Sequence, residues 1–324
     1  MTQDYAKAVT LDPGVAYGLS QGAKRAGPPL PDAEAEALAA QYGLRAQGAR
    51  PPLARYTNSL FQRKDLIWEL ADTSAYARNQ GSYLGQAWAI LDPTLLALFY
   101  VIVFGLLFPP GAAVRNAVSF ITVGIFTYSY FQNSILGATK SMRTRLDLIQ
   151  SHQFPRAVIP ISTVLTETIR FFPAMAVMIA ITWLSRFLPT MPAVPITWRW
   201  LLIIPAFLLL TTFLVGIAMI FARFGAALPD LANILPFFLS FLMFGSGAMF
   251  AIGQFEHILG PFVMRILTYQ PVGVYIYLMR SALLDEPSVP PSPIMWFWGI
   301  LWAVLALVLG YIFFWRAEEI YGRE

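Results

Sequence analysis

Cysteine is absent from this 324-residue sequence, and charged residues are scarce. Without cysteine, the chain has no disulfide framework, no thiolate metal ligand and no cysteine nucleophile. Only 12% of the residues are charged, compared with about a quarter in soluble globular proteins, whereas 57% are hydrophobic. The mean hydropathy is +0.59. This composition indicates a protein of the lipid bilayer.

Two further absences restrict the chemistry of the chain. The sequence lacks a phosphate-binding loop of the form Gly-x-x-x-x-Gly-Lys-Ser/Thr, because its one Lys-Ser pair, Lys140-Ser141, follows Thr139. The two histidines, His152 and His257, are predicted on opposite sides of the membrane and cannot share a metal or catalytic site. We therefore expect a chain that is not an enzyme and that holds neither a metal nor a cofactor. ATP and Mg²⁺ would be bound by a partner subunit.

Six apolar runs approach the length of about 20 residues that a helix needs to cross a bilayer. They cover residues 84–108, 117–138, 157–188, 200–222, 231–252 and 294–315. With both termini in the cytoplasm, most of the 22 Lys and Arg residues fall on the cytoplasmic side, as the positive-inside rule requires. The same distribution explains the net charge of +4 without a nucleic-acid partner. We predict an all-α, multi-pass protein of the bacterial inner membrane.

The remaining segments complete the predicted domain organisation. Residues 1–52 are rich in Ala, Gly and Pro, and they predict a disordered cytoplasmic tail. Residues 53–83 predict an amphipathic helix on the cytoplasmic surface, and residues 84–324 form the six-span domain. Within that domain, residues 253–284 are apolar but interrupted by Gly and Pro. They predict a pair of re-entrant helices on the outer face, between the fifth and sixth spans.

Two ionisable residues, Glu167 and Arg170, lie deep in the predicted third span. Their i, i+3 spacing places them on one helix face, where a mutual ion pair offsets part of the desolvation cost. Two interpretations remain open. The pair locks neighbouring helices together, or it lines a conduit, which is the default expectation for charge inside a membrane.

Aromatic residues form a stripe on one face of each of three predicted spans. The stripes are Tyr100, Phe104 and Phe108 on the first span, Phe126 and Tyr130 on the second, and Phe237, Phe241 and Phe244 on the fifth. Such stripes serve packing and lipid contact, but they also suit the apolar faces of sugar rings that slide past. Both interpretations remain open.

Two segments resemble the ABC-2 permeases that export O-antigen and teichoic acid. The run from Arg78 to Pro93 carries that family's basic residue, Leu-Gly pair, Trp and Pro at the start of the first span. The run from Leu148 to Pro160 carries its Leu-Ile and Phe-Pro-Arg elements before the third span. The resemblance covers about residues 58–324.

The resemblance implies a homodimer of permeases joined to two ATPase subunits, with a lipid-linked glycan passing between the permeases and membrane lipids around them. The ATPases would contact the interfacial helix and a coupling segment, residues 139–156, through Leu148, Ile149, Phe154, Pro155 and Arg156. The residues implied in the interfacial helix and at the start of the first span are Leu60, Ile67, Leu70, Arg78, Leu84, Gly85, Trp88 and Pro93. The aromatic stripes would form the sugar path, and the re-entrant helices would gate the exit.

Several alternatives accompany this interpretation. A turn followed by a positive-inside arginine also explains Phe154-Pro155-Arg156. The Ala- and Arg-rich tail suggests a high-GC genome and hence the galactan precursor of an actinobacterial cell wall as cargo. An ABC-2 exporter of a drug or small lipid is a rival within the superfamily. An ion-coupled secondary transporter is a rival from another class, although the sequence shows no inverted repeat.

Overall fold

The computed structural model describes residues 51–77, 83–103, 114–152, 154–188 and 191–318, without the side chains at positions 86, 89, 93 and 100. These described residues form α-helices, short 3-10 turns, a π-helical turn at residues 101–103 and loops, with no β-strand among them. The helices are α1 (Leu53–Gln62), α2 (Lys64–Ala77), α3 (Trp88–Tyr100), α4 (Ala117–Thr144), α5 (Leu146–Ser151), α6 (Val158–Leu184), α7 (Ile203–Ala227), α8 (Leu231–Gly245), α9 (Pro261–Tyr269), α10 (Pro271–Leu283) and α11 (Pro293–Trp315). Almost all of the predicted tail lies outside the described residues.

Within the part of the chain that the structure describes, three helical segments are long and apolar enough to cross a membrane, namely Val158–Phe187, Trp198–Ala227 and Pro293–Trp315. They coincide with the predicted third, fourth and sixth spans, which are confirmed by length and composition. The shorter apolar helices Ile90–Val103 and Leu231–Gly245 cover parts of the first and fifth runs. The 28-residue helix α4 covers the second run, with a more polar composition. The total of six spans stays a prediction.

Helix α7 lies at the centre of the packing, against α4, α6 and α11. Its crossing with α11 requires glycine, because a Cβ atom on Gly216 or Gly310 would overlap the opposite backbone, at Ala306 and Gly216 respectively. The crossing with α4 is equally close, since a Cβ atom on Gly225 would overlap the backbone of Thr139. Small residues that let helix backbones approach are typical of membrane helix interfaces. These contacts fix α4, α7 and α11 as one packed unit.

The stretch predicted to hold two re-entrant helices contains the short helices α9 and α10. Both begin with proline, Pro261 and Pro271, which is favoured in the first helical turn. Near the end of α10, the buried Arg280 guanidinium donates hydrogen bonds to the Phe120 carbonyl oxygen at 3.0 and 2.9 Å and to the Gly247 carbonyl oxygen at 2.7 Å. These bonds tie α10 to the first turn of α4. Re-entry of α9 and α10 into the bilayer stays a prediction.

Candidate functional site

A polar cavity of about 250 Å³ lies between α3, α4 and α6. We call it the α3–α4–α6 cavity, and its polar wall includes Asp92, Tyr130, Gln132, Asn133, Glu167 and Arg170. Glu167 lies nine residues after the first residue of α6, or roughly 14 Å along the helix at 1.5 Å per residue. The cavity therefore brings charged and amide side chains from three helices together, and Glu167 lies far from either end of a helix that is long and apolar enough to cross a membrane.

The Glu167–Arg170 pair predicted from the sequence forms one wall of this cavity. The Arg170 Nη1 atom donates to the Glu167 carboxylate at 3.2 and 3.3 Å. The two side chains are only 9% and 11% exposed, for Glu167 and Arg170 respectively. The Nε atom of Arg170 is buried without a hydrogen-bond partner among the described residues. The ion pair lies within α6 and borders the cavity, so that the lock between helices and the conduit lining both stay predictions.

The remaining carboxylate and the two amide side chains of the cavity wall make no hydrogen bond within the described residues. They are Asp92, Gln132 and Asn133, of which Asp92 and Asn133 are exposed to the cavity or its mouth. Polar groups at bilayer depth are costly unless they find partners or face a cavity. Sequence reasoning missed all three. Asp92 could have been found by the rule that identified Glu167, because it is an acid within a predicted span.

The aromatic residues predicted for the sugar path lie in different environments. Phe126 and Tyr130 line the cavity but are almost fully buried, and the Tyr130 ring stacks on Phe171 with centroids 4.7 Å apart. The Tyr130 hydroxyl is hydrogen-bonded to Thr168 at 2.7 Å and to Thr211 at 3.0 Å. Most of the Tyr130 surface therefore serves packing within the chain.

The third predicted stripe lies on α8, away from the cavity wall. Phe237, Phe241 and Phe244 are between 50% and 63% exposed, and the Phe237 and Phe241 rings meet edge to face at 4.8 Å. The side chain of Tyr100, with Phe104 and Phe108, lies outside what the structure describes. The proposal that the three aromatic stripes form a sugar path stays a prediction.

A hydrogen-bonded network centred on Glu318 lies just beyond the last turn of α11. The Tyr56 hydroxyl donates to Glu318 Oε2 at 2.8 Å and accepts from the Ala157 amide at 3.1 Å. The Arg156 amide donates to Glu318 Oε1 at 3.0 Å, and the Arg156 guanidinium donates to the Glu318 carbonyl oxygen. We call these four residues the Glu318 network. It joins α1, the start of α6 and the end of α11.

Burial raises the pKa of the Glu318 carboxyl, while the hydrogen bonds from the Arg156 amide and the Tyr56 hydroxyl oppose that rise. Burial, followed by the Glu318 charge, raises the pKa of Tyr56, which keeps its hydroxyl protonated and able to donate. The Glu318 carboxylate and the Tyr56 hydroxyl are therefore buried polar groups whose hydrogen-bond partners lie within the chain. No feature of the sequence pattern indicated Glu318 or Tyr56.

The predicted coupling residues lie next to this network. Ile149 is buried, whereas Leu148, Phe154, Pro155 and Arg156 are half-buried. The Phe154 ring packs against a hydrophobic cluster drawn from α1, α4, α6, α7 and α11. The structure thus places Phe154 and Ile149 in one cluster with Tyr56 of the interfacial segment. Ile149 is buried, but part of each of the other four side chains is accessible to a partner.

The segment predicted as one interfacial helix contains two helices, α1 and α2. Leu60, Ile67 and Leu70 are half-buried in them, as expected for the apolar side of a surface helix. Helix α2 packs on α6, where Thr166 donates to the Ala71 carbonyl oxygen at 3.2 Å. The second helix of the interfacial segment, α2, is therefore packed on α6.

The start of the first span is described in part. Leu84 is 52% exposed, Gly85 has a φ of 48°, and Trp88 is half-buried. A left-handed residue of this kind favours glycine, which explains the Leu-Gly pair before the first span. Arg78 and the side chain of Pro93 lie outside the described residues.

Comparison with known proteins finds similarity to O-antigen export system permease proteins named RfbA, while no family model matches the chain. The relative from Myxococcus xanthus is 25% identical over 228 residues, which cover 68% of this chain and 84% of the relative. One relative from Klebsiella pneumoniae is 23% identical over 245 residues, covering 75% and 90%. Another from the same organism is 24% identical over 222 residues, covering 68% and 81%. The similarity therefore extends over most of each relative.

Proposed function

We propose that this chain is an ABC-2 polysaccharide export permease, the membrane subunit of an exporter for a lipid-linked polysaccharide. The observation that carries the proposal is the similarity to O-antigen export permeases over 81 to 90% of their length. The cargo would move from the cytoplasm to the outer face of the inner membrane. Within this class, O-antigen, teichoic acid and galactan types of glycan all fit the proposal.

The proposed topology has six spans and cytoplasmic termini. The spans would be formed by α3, α4, α6, α7, α8 and α11, with α9 and α10 as the re-entrant pair at the outer exit. Support comes from three helices of sufficient length and hydropathy and from the buried Arg280, which fixes α10 against α4. The close crossings of α7 with α4 and α11 would keep the domain rigid during transport.

The proposed energy source is a separate ATPase, in two copies that bind ATP and Mg²⁺, joined to a homodimer of this chain. The chain lacks a phosphate-binding loop of its own. The Glu318 network supports a role in coupling, because it joins residues next to the coupling segment to the ends of two spans. A force applied at Phe154 and Arg156 would therefore reach the third and last spans through short, buried contacts.

Transport by the reconstituted complex tests this proposal. The chain would be co-expressed with the ATPase encoded beside it, and vesicles loaded with the lipid-linked glycans of the source cell would be assayed for glycan that becomes accessible on the opposite leaflet. We expect movement that requires ATP and stops when the phosphate-loop lysine of the ATPase is replaced. Movement that instead follows an imposed ion gradient, with the ATPase inactive, would favour a secondary transporter. Export of a drug or small lipid without export of glycan would favour an ABC-2 exporter of drugs or small lipids.

A further inference from the structure

We propose that the α3–α4–α6 cavity binds a single neutral sugar residue of the cargo, and that its charge rejects free anions. The inference rests on the proposed function and adds a binding site to it. The site differs from the aromatic stripes, because its polar wall comes from Asp92, Gln132, Asn133 and the Glu167–Arg170 pair. Three helices contribute to it, so that a ligand there would contact three of the proposed spans at once.

The charges of the cavity decide between a neutral ligand and an anion. Among its described lining residues, the charged groups are the carboxylates of Asp92 and Glu167 and the guanidinium of Arg170. Arg170 already donates to Glu167 at 3.2 Å, which leaves the cavity with one negative charge in excess. A phosphate group would face two carboxylates in a region of low dielectric constant, where like charges repel strongly. A neutral polyol meets no such repulsion.

The hydrogen-bonding groups of the cavity match sugar hydroxyls, each of which can donate and accept. The Asp92 carboxylate can accept, and the amides of Gln132 and Asn133 can both donate and accept. None of these three side chains makes a hydrogen bond within the described residues, and the buried Nε of Arg170 is a further donor without a partner. Unpaired polar groups at this depth are costly, and a ring of hydroxyls would satisfy them together.

The size of the cavity favours one ring over a longer segment of glycan. Its volume of about 250 Å³ is slightly below the range of roughly 300 to 1,000 Å³ that is typical of pockets for drug-sized ligands. The accessible apolar part of the wall comes from Leu96, which is 39% exposed. A sugar residue has both an apolar ring face and polar edges, so that it suits a wall of this mixed character.

The absence of cysteine makes the test direct, because a single introduced cysteine is the one reactive thiol of the chain. Asn133→Cys would place that thiol in the cavity wall, and Leu228→Cys would place one in the exposed loop between α7 and α8, on the predicted cytoplasmic side, as the reference. Membrane vesicles containing the full chain and its ATPase would be treated with a cationic or an anionic methanethiosulfonate. The labelled chain would then be separated from the ATPase and quantified.

We expect the cationic reagent to modify Asn133→Cys faster than the anionic reagent by about tenfold relative to Leu228→Cys, since the net negative charge of the cavity concentrates cations. Adding Asp92→Asn should bring this ratio towards one. Methyl glycosides of glucose, galactose, mannose and rhamnose form the ligand panel, with sodium phosphate for comparison. At least one glycoside should slow the modification about twofold or more, and phosphate should not.

Three results would overturn the inference. They are faster reaction with the anionic reagent, no reaction at position 133 with either reagent, and the absence of protection by any glycoside. Protection by phosphate alone would replace the sugar site with an anion site. ATP-driven glycan export by the unsubstituted complex, measured in the same vesicles, separates the two proposals. If export persists without protection at position 133, the proposed function stands and the sugar site is rejected.

Discussion

Replacing Tyr56 with phenylalanine tests whether the Glu318 network holds the cytoplasmic ends of the spans together. Tyr56 is 1% exposed, and its hydroxyl both donates to Glu318 and accepts from the Ala157 amide. Tyr56→Phe keeps the ring but leaves a buried amide and one carboxylate oxygen without that partner. Each buried group left unsatisfied costs about 1 to 3 kcal/mol, so we expect a loss of about 3 kcal/mol in the free energy of unfolding.

Thermal unfolding of the purified chain in detergent measures this loss. For a domain of this size, 1 kcal/mol corresponds to about 2 to 4 °C, so Tyr56→Phe should lower the Tm by roughly 6 to 12 °C. Tyr311→Phe is the matched control, because it removes a part-buried hydrogen bond to Thr57 and should lower the Tm far less. A Tyr56→Phe variant that unfolds at the same temperature as the unsubstituted chain would refute the reasoning. Combining it with Glu318→Gln should give less than the sum of the two effects, since the residues share one network.

Three further substitutions test other parts of the account. Gly216→Ala should lower the free energy of unfolding by about 1 to 3 kcal/mol, because its Cβ atom overlaps the backbone of Ala306, whereas Gly253→Ala, in open space, should leave the Tm unchanged. Arg280→Lys should speed hydrogen exchange in α10, because lysine lacks the planar fork of donors; unchanged exchange would contradict this anchoring role. Phe154→Ala should reduce co-purification of the ATPase or separate ATP hydrolysis from export; normal assembly, hydrolysis and export would leave Phe154 as a packing residue.

The long apolar helices were predictable because their signal is local. The runs at 157–188, 200–222 and 294–315 have a high mean hydropathy over a bilayer-spanning length, so that length and hydropathy suffice to identify them. The Glu167–Arg170 pair was predictable for a similar reason, since i, i+3 spacing brings two side chains together on any helix. These features depend on neighbours in the sequence and need no knowledge of the packing.

The features that depend on packing could not be obtained from the sequence. Tyr56 and Glu318 are 262 positions apart, and only the fold brings them within 2.8 Å. The aromatic stripes show the same limit, because one spacing describes both the buried Tyr130 and the exposed Phe237. Helical periodicity identifies a face but does not show what covers it. The meeting of Asp92 and Asn133 in one cavity likewise required the arrangement of three helices.

The most direct test of the central claim is the location of the lipid-linked glycan when this chain is depleted from its own cell. Glycan exposed on the outer face of the inner membrane would be quantified by a probe that does not cross the membrane, before and after the membrane is opened. Our account predicts that the glycan accumulates on the cytoplasmic face, and that restoring the chain together with an active ATPase returns it to the outer face. Glycan that reaches the outer face at the normal rate without this chain would contradict the account.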